Sequence, residues 1–494
     1  MFFALVWLFF LIILRISANH TNKPNIIIFL ADDLGWDDVS FHGSKQIRTP
    51  NIDRLAREGV VLNNYYTGPL CTPSRGSLLS GYHPIHSGTQ HWVILPQEPR
   101  GLPLNFTLLP EYLRDYDYAN HIVGKWHLGS HRRYYTPTYR GFDSHVGYFN
   151  GGNDYYDHTT LSSSLAWGID FRRNLNLNTN ASGIYSTHYY TDEALKIIEN
   201  HPKHNQPLFL YMAYQSVHTG NTYSPLQAPK EYIDRFPNIN HRKRKIFAGM
   251  LSAMDDSIGI IMESLQHHDM LQNSIICFMS DNGGPANGFM GNFASNWPLR
   301  GVKDTLWEGG VRVPALIWSP VLKKKSYVFQ GLFHVSDWLP TLLTAIDRNK
   351  VSRDDRLRNI YGKWKLVQGL KYPDWRDWYF PPGSSNSDIS VNLVAQETSS
   401  DHLQRSFPVQ CGTKPQDADT NCKSEESLCL YDIENDPCEY HNLAGVHQDV
   451  VNQLWNRILE LNRTAIPPMN KPLDPASDPK YHNYAWTCWL DPKY

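Results

Sequence analysis

The chain has 494 residues, and its 46 Lys and Arg against 48 Asp and Glu leave a formal charge of −2. With 41% hydrophobic and 13% aromatic residues it has ample material for a buried core, which excludes a wholly disordered chain. The near-zero charge leaves no footprint for a general nucleic-acid binder, a mean hydropathy of −0.46 excludes a multi-span membrane protein, and seven cysteines are too few for a disulfide-built miniprotein.

Residues 2–14 are almost wholly apolar, and Arg15 and the small Ala18 follow. The run is short for a membrane span and reads as the core of a signal peptide over 1–18. Its basic residue follows the core instead of preceding it, so an uncleaved anchor is the alternative. No second run reaches spanning length, and no stable membrane span is expected. N-x-S/T sequons at Asn19, Asn105, Asn180 and Asn462 fit a secretory route, ending in the lysosome or outside the cell.

Residues 25–30 (NIIIFL) form a buried-strand run. Thr49-Pro50 opens a helix over NIDRLARE, with Gly59 as its stop. Further apolar strands are expected at 121–123, 207–214 and 274–280. A helix over 242–266 carries Met250, Met254, Ile258, Ile261 and Leu265 at helical spacing, a stripe that reads as core. Strands separated by helices imply an α/β fold with a large, mostly parallel sheet covered on both faces. Beyond about 350 the texture shifts toward Pro, Ser, Asp and Asn, with short strand patterns at 363–367 and 427–433. The chain thus divides into a catalytic part over 19–349 and a smaller, antiparallel C-terminal unit over 350–494.

Ligands in open α/β sheets bind beyond the carboxyl ends of the strands. Here those ends are followed by Asp32-Asp33, by Lys125-Trp126-His127, by His218 and by Asp281-Asn282. Asp32, Asp33, Asp281 and Asn282 offer hard oxygen donors, which suit Ca²⁺ or Mg²⁺ and suit zinc poorly. In Cys71-Thr72-Pro73-Ser74-Arg75-Gly76, Thr72 reads as a helix cap and Pro73 as the first helical residue. That places Cys71 at a helix start, where exposed amides favour anions and depress a thiol's pKa. Arg75 adds a positive fork for oxyanions. With Lys125, Lys303 and two histidines, the set suits a tetrahedral oxyanion ester, sulfuryl or phosphoryl.

PLCTPSRGSLLSG (69–81) and VGKWHLG (123–129) resemble the two signatures of the sulfatase family. NIIIFLADDLGWDD, LYMAYQSVH, SDNGG and NWPLRGVKDTLWEGGVRVP resemble further sulfatase blocks in sulfatase order, over roughly 24–345. QHW (90–92), YRGFD (139–143), the DYYDH run (154–158) and NWPLRG look closest to the arylsulfatase B, or N-acetylgalactosamine-4-sulfatase, group. The resemblance implies an alkaline-phosphatase-like fold and hydrolysis of sulfate esters on glycans, with N-acetylgalactosamine 4-sulfate of dermatan or chondroitin sulfate as the group's substrate. It implies that the formylglycine-generating enzyme oxidises Cys71 to formylglycine (3-oxoalanine). One Ca²⁺ would be held by Asp32, Asp33, Asp281, Asn282 and the converted Cys71. Arg75 would steady the aldehyde hydrate, Lys125 and Lys303 the sulfate. His218 would protonate the leaving oxygen, and His127 would take the hydrate's second proton.

Ser80, Asp117 and Asn120 depart from the family pattern without touching a ligand position. A larger departure follows Ile346, where relatives carry several dozen residues more before the GKWKL strand. Cys277 lies mid-strand and reads as a buried thiol; Cys411, Cys422, Cys429, Cys438 and Cys488 allow two bridges and one orphan, with the pairing open. The basic runs at 242–245 and 323–325 read as solvated faces. Two alternatives stand beside the sulfatase reading. One is a phosphoester hydrolase of the related alkaline-phosphatase-like group, opposed by CTPSR and the oxygen-rich metal set. The other is a catalytically inactive, sulfated-glycan-binding glycoprotein, opposed by the intact residue set and favoured by the shortened segment. Loops near 90–103, 150–190 and 219–230 would choose the sugar.

Overall fold

A computed structural model describes residues 23–202, 206–347, 362–369, 373–384 and 409–492. The leader over 1–18, the sequon at Asn19 and the join over 348–361 lie outside the described residues.

The strands, in chain order, are β1 (Asn25–Ala31), β2 (Val60–Tyr66), β3 (Ala119–Lys125), β4 (Ser144–Tyr148), β5 (Thr159–Leu161), β6 (Trp167–Ile169), β7 (Arg172–Arg173), β8 (Asn176–Leu177), β9 (Leu208–Ala213), β10 (Ser274–Ser280), β11 (Ala315–Trp318), β12 (Tyr327–His334), β13 (Trp364–Val367) and β14 (Cys429–Asp432). Ten of them form one sheet in the order β12-β2-β11-β10-β1-β9-β3-β4-β7-β8. Its centre, β10-β1-β9-β3-β4, is wholly parallel, and antiparallel pairings with β11 and β7 flank it. The large, mostly parallel sheet expected from the sequence is present.

The central strands are buried on both faces, which is why they read as unbroken apolar runs. In β1, Ile27, Phe29 and Ala31 enter one core, while Ile26, Ile28 and Leu30 enter the other. β9 divides likewise, Leu208, Leu210 and Met212 against Phe209, Tyr211 and Ala213. Helix α1 (Pro50–Glu58) starts at the expected proline and ends at Gly59. Helix α2 spans Cys71–Ser80 and is buried throughout. Helix α3 (Arg242–His267) lays its Met250, Met254, Ile258, Ile261 and Leu265 stripe on the first core, as its spacing predicts.

The small C-terminal unit contains the antiparallel pair β13–β14. Disulfides join Cys411 to Cys438 and Cys422 to Cys429, leaving Cys71, Cys277 and Cys488 as thiols. Beyond helix α4 (Gln448–Asn462) the chain runs back over the large sheet's part. Ile466 N–H donates to Ile85 O at 2.7 Å, Met469 N–H to Gly88 O at 3.0 Å, and Asp474 N–H to Gln97 O at 2.8 Å. Trp486 N–H then donates to Ile169 O, and Leu490 N–H to His131 O, both at 3.0 Å. No helix among the described residues is long and apolar enough to cross a membrane.

Two buried histidines set an acid limit on stability. His42 is 2% exposed, stacks on Trp36 at 3.8 Å between ring centroids and donates Nδ1–H to Trp36 O. His145 is fully buried and donates Nε2–H to Gly124 O. Burial, with Arg312 nearby, holds His42 at about 3; burial, with Arg172 nearby, holds His145 at about 4. Both folded-state values lie below the ordinary 6.5, so the unfolded chain takes up protons first. Their stabilisation is complete above pH 6.5 and is lost as pH falls toward 4. Each contributes a slope of about 1.4 kcal/mol per pH unit in that window. Urea unfolding at stepped pH checks this, and His145→Gln should flatten the slope by about one proton.

Candidate active site

Because the central strands are parallel, their carboxyl ends share one rim. Asp32 and Asp33 leave β1, Lys125 ends β3, His218 follows β9, and Asp281 and Asn282 leave β10. Gly124 (φ 110°) is required at the rim, since a Cβ there would lie 1.9 Å from Ala213 O on β9. A Cβ at Gly151 would meet the His127 ring at 2.6 Å, so that glycine keeps the ring's place open. Cys71 enters from α2, Arg75 sits one turn further, and Lys303 arrives on the loop after Arg300.

All ten residues singled out from the sequence converge and are buried. Lys125 Nζ lies 2.6 Å from Asp32 Oδ2, and Lys303 Nζ lies 2.7 Å from Asp33 Oδ2. Arg75 places Nε and Nη2 on Asp281 Oδ2 at 2.9 and 2.8 Å. Cys71 Sγ is 3.5 Å from Asp32 Oδ1, and Asn282 Nδ2 donates to Asp33 Oδ1 at 2.7 Å. His218 donates Nδ1–H to Thr219 O at 2.7 Å, leaving Nε2 3.6 Å from Asp33 Oδ2. His127 donates Nε2–H to Ile94 O at 3.0 Å, and its buried Nδ1 has no hydrogen-bond partner.

Three carboxylates face three fixed cations here, and the balance is uneven. Burial and Asp32 push Asp281 up to about 6 against Arg75. Burial also works to raise Asp33, but Lys303, His218 and Lys125 outweigh it and hold the carboxyl at about 2. Burial, aided by Lys303 and Lys125, holds His218 at about 3 against Asp33, and burial takes His127 well below its ordinary value. The thiol corrects an expectation. Burial and then Asp281 raise Cys71 well above the ordinary thiol range, where its place at a helix start predicts a fall. The loss of water and the carboxylates of Asp281 and Asp32 outweigh Lys125 and Lys303, and no fall from the helix start survives them.

The helix start is also displaced. α2 begins at Cys71 with Leu70 as its cap, and Thr72 makes no cap bond. Instead Thr72 Oγ1 donates to His127 O and accepts from Ile94 N–H, each at 3.1 Å. The sequence reading also missed Ile94, whose carbonyl fixes the His127 tautomer, and Asn292, whose amide donates to Asp33 O and Val217 O. Backbone acceptors leave no signal in residue types, and Asn292 lies in an irregular loop. Asn105, Asn180 and Asn462 are exposed, as glycan acceptors must be.

The cluster is a possible metal site, with two carboxylates, a thiol and an imidazole in its closest group and Asp281 outside that group. One ligand atom each from Asp32, Asp33, Cys71 and His218 lie within 4.8 Å of one another. Asn282 Oδ1 is buried with no donor, although both bonds available to its Nδ2 are made. A buried acceptor in that state calls for a cation or a donor.

Residues 24–347 match the family model described as Sulfatase. The chain belongs to the sulfatase family. It is 37% identical over 502 residues to arylsulfatase J of Mus musculus, covering 95% of this chain and 81% of that one. It is 36% identical to N-acetylgalactosamine-6-sulfatase of Homo sapiens over 66% of this chain and 63% of that protein, so it spans under two thirds of that relative's length. A solved structure, Ps i-CgsB in complex with k-i-k-neocarrahexaose, superposes with a TM-score of 0.69 at 27% identity, covering 91% of this chain and 94% of that one. Membership makes this sulfatase a sulfuric ester hydrolase, and the fold likeness agrees with the sheet architecture expected from the sequence.

Proposed function

We propose that the formylglycine-generating enzyme converts Cys71 to formylglycine in the secretory pathway, and that the mature site removes sulfate from N-acetylgalactosamine residues of glycosaminoglycans. The observation that carries this reading is the convergence of Cys71, four oxygen-donor residues, three cations and two oriented histidines in one buried pocket. The QHW and YRGFD motifs, with their likeness to the arylsulfatase B group, favour the 4-sulfate. The human relative's name carries the same sugar with sulfate at position 6. The sugar is common to both, and both positions enter the test. A lysosomal or secreted location follows from the leader and the sequons.

Asp32, Asp33, Asp281, Asn282 and the converted Cys71 would hold Ca²⁺, which would supply charge stabilisation to the sulfate oxygens. Formylglycine at position 71 would supply, as its hydrate, the hydroxyl nucleophile. The chain's other groups do the rest. Lys125 and Lys303 bear fixed positive charge for the sulfate oxygens, and Arg75 holds Asp281 and steadies the hydrate. His127 has its Nε2 proton committed to Ile94 O, so Nδ1 is its basic atom and takes the hydrate's proton. His218 has its Nδ1 proton committed to Thr219 O, so proton delivery to the leaving oxygen falls to Nε2. With no substrate present it is neutral above about pH 3, and the bound anion raises its proton affinity. Cys71 is 1% exposed, so its conversion precedes folding.

Mass spectrometry of the peptide spanning Cys71 in secreted protein should show H₂S exchanged for O. The same protein should hydrolyse 4-nitrophenyl sulfate with Ca²⁺ present and release sulfate from N-acetylgalactosamine 4-sulfate faster than from the 6-sulfate. Folded, converted protein that hydrolyses none of the three would refute the reading in favour of a sulfated-glycan binder.

A further inference from the structure

Trp92, the last residue of the QHW motif, has no part in the chemistry above, yet its placement is specific. Its φ is +66°, a left-handed conformation that a bulky residue rarely adopts. Two residues on, Ile94 is tied to both sides of the catalytic pocket, with its N–H on Thr72 Oγ1 and its carbonyl on His127 Nε2. Trp92 is half-buried, and its ring meets that of Phe289, also half-buried, at 5.2 Å between centroids. Phe289 in turn lies with its ring centroid 6.0 Å from Lys303 Nζ, the ammonium that sits on Asp33. Phe289 therefore stands beside the lysine of the candidate sulfate pocket, with Trp92 packed against it two residues from a backbone position bonded to Thr72 and His127.

Both loops are braced from outside. Gln90 Nε2 donates to Ile466 O at 2.7 Å, holding the Trp92 loop against the returning C-terminal segment. A Cβ at Gly288 would strike the Trp375 indole at 2.5 Å, so the Phe289 loop rests flush on that ring. Strain at Trp92 persists because these contacts over-determine the loop.

We propose that Trp92 and Phe289 form the leaving-group subsite, an aromatic platform for the pyranose ring whose sulfate enters the pocket. This rests on the sulfate-ester reading above and names what binds the part of the substrate that departs. A sugar ring presents C–H groups on one face, and an aromatic face held at a fixed angle is its apolar complement. The platform contributes to binding the alcohol portion and makes no contact with inorganic sulfate.

The test separates those two portions. Trp92→Ala, Phe289→Ala and Trp92→Phe are assayed for KM and kcat on N-acetylgalactosamine 4-sulfate and 4-nitrophenyl sulfate, and for inhibition by inorganic sulfate. Each alanine variant should raise KM for both ring-bearing esters about tenfold, with kcat changed by less than about threefold, and Trp92→Phe should recover most of the loss. The sulfate inhibition constant should stay at its wild-type value. Unchanged KM would overturn the proposal. So would a sulfate inhibition constant that rises in step with KM, because that reports a distorted pocket. If wild type binds N-acetylgalactosamine 4-sulfate without hydrolysing it, the failure belongs to the hydrolase reading. The variants are then scored by calorimetric affinity for that saccharide, where equal affinities overturn the platform. A wild type that neither binds nor hydrolyses it overturns both.

Discussion

Cys71→Ala is expected to reduce sulfate-ester turnover by on the order of 10⁴-fold or more, the loss typical of removing an attacking group. The protein should fold, because the side chain is small and its polar contact is one 3.5 Å approach to Asp32. Cys71→Ser is the sharper variant. On the proposed mechanism a lone serine hydroxyl can attack sulfur once, but it lacks the second hydroxyl on the same carbon whose deprotonation by His127 would expel sulfate. Stopped-flow assays with 4-nitrophenyl sulfate should therefore show at most one equivalent of nitrophenol per Ser variant, and none for the Ala variant. Continuous turnover by Cys71→Ser would show that no aldehyde hydrate is needed.

The largest expected stability loss belongs to Arg75. Its side chain is wholly buried and carries both contacts to Asp281 Oδ2, with Asp32 3.6 Å away. Arg75→Met keeps much of the volume and removes the charge. It strands a carboxylate among two others with only Lys125 and Lys303 left, a change that costs about 3–5 kcal/mol. Asp281, already at about 6, should titrate higher still. Activity should fall with it. Urea unfolding with and without Ca²⁺ separates cause from consequence. A cation bound by Asp32, Asp33 and Asp281 offsets the surplus negative charge, so added Ca²⁺ should shrink the deficit of Arg75→Met relative to wild type. A deficit indifferent to Ca²⁺ would count against metal binding at these carboxylates.

Parts of this molecule are written locally and parts are not. β1 and β10 could be read because both of their faces are dry, so every residue type reports burial. β12 has no buried residue at the sheet's edge, its middle three positions being exposed and the rest half-exposed, so nothing in YVFQGLFH marks it as a sheet strand. The candidate site residues were legible because parallel strands deliver their ends to one rim, so chemistry-bearing residues after strands imply a common site. The sign of the thiol's shift was not legible. It depends on Asp32 and Asp281, which are distant in sequence from the helix start at Cys71. Likewise Trp92 and Phe289 meet only through tertiary packing, and the two disulfides are settled by which loops the β13–β14 pair brings together.

The returning C-terminal segment has a consequence for how the protein is made. The loop that orients His127 is clasped by Ile466, Met469 and Asp474, and the Gln90–Ile466 bond alone spans 376 positions. A nascent chain that has emerged only as far as Ile346 has every acid, base and ligand of the site but not the clasp. Such long-range closure slows folding and leaves early segments waiting on late ones. Loss of the segment after Asn462 would therefore loosen the loop that orients His127 without removing any of the ten candidate site residues. The loop that carries Ile94 is complete only once Ile466, Met469 and Asp474 have been made.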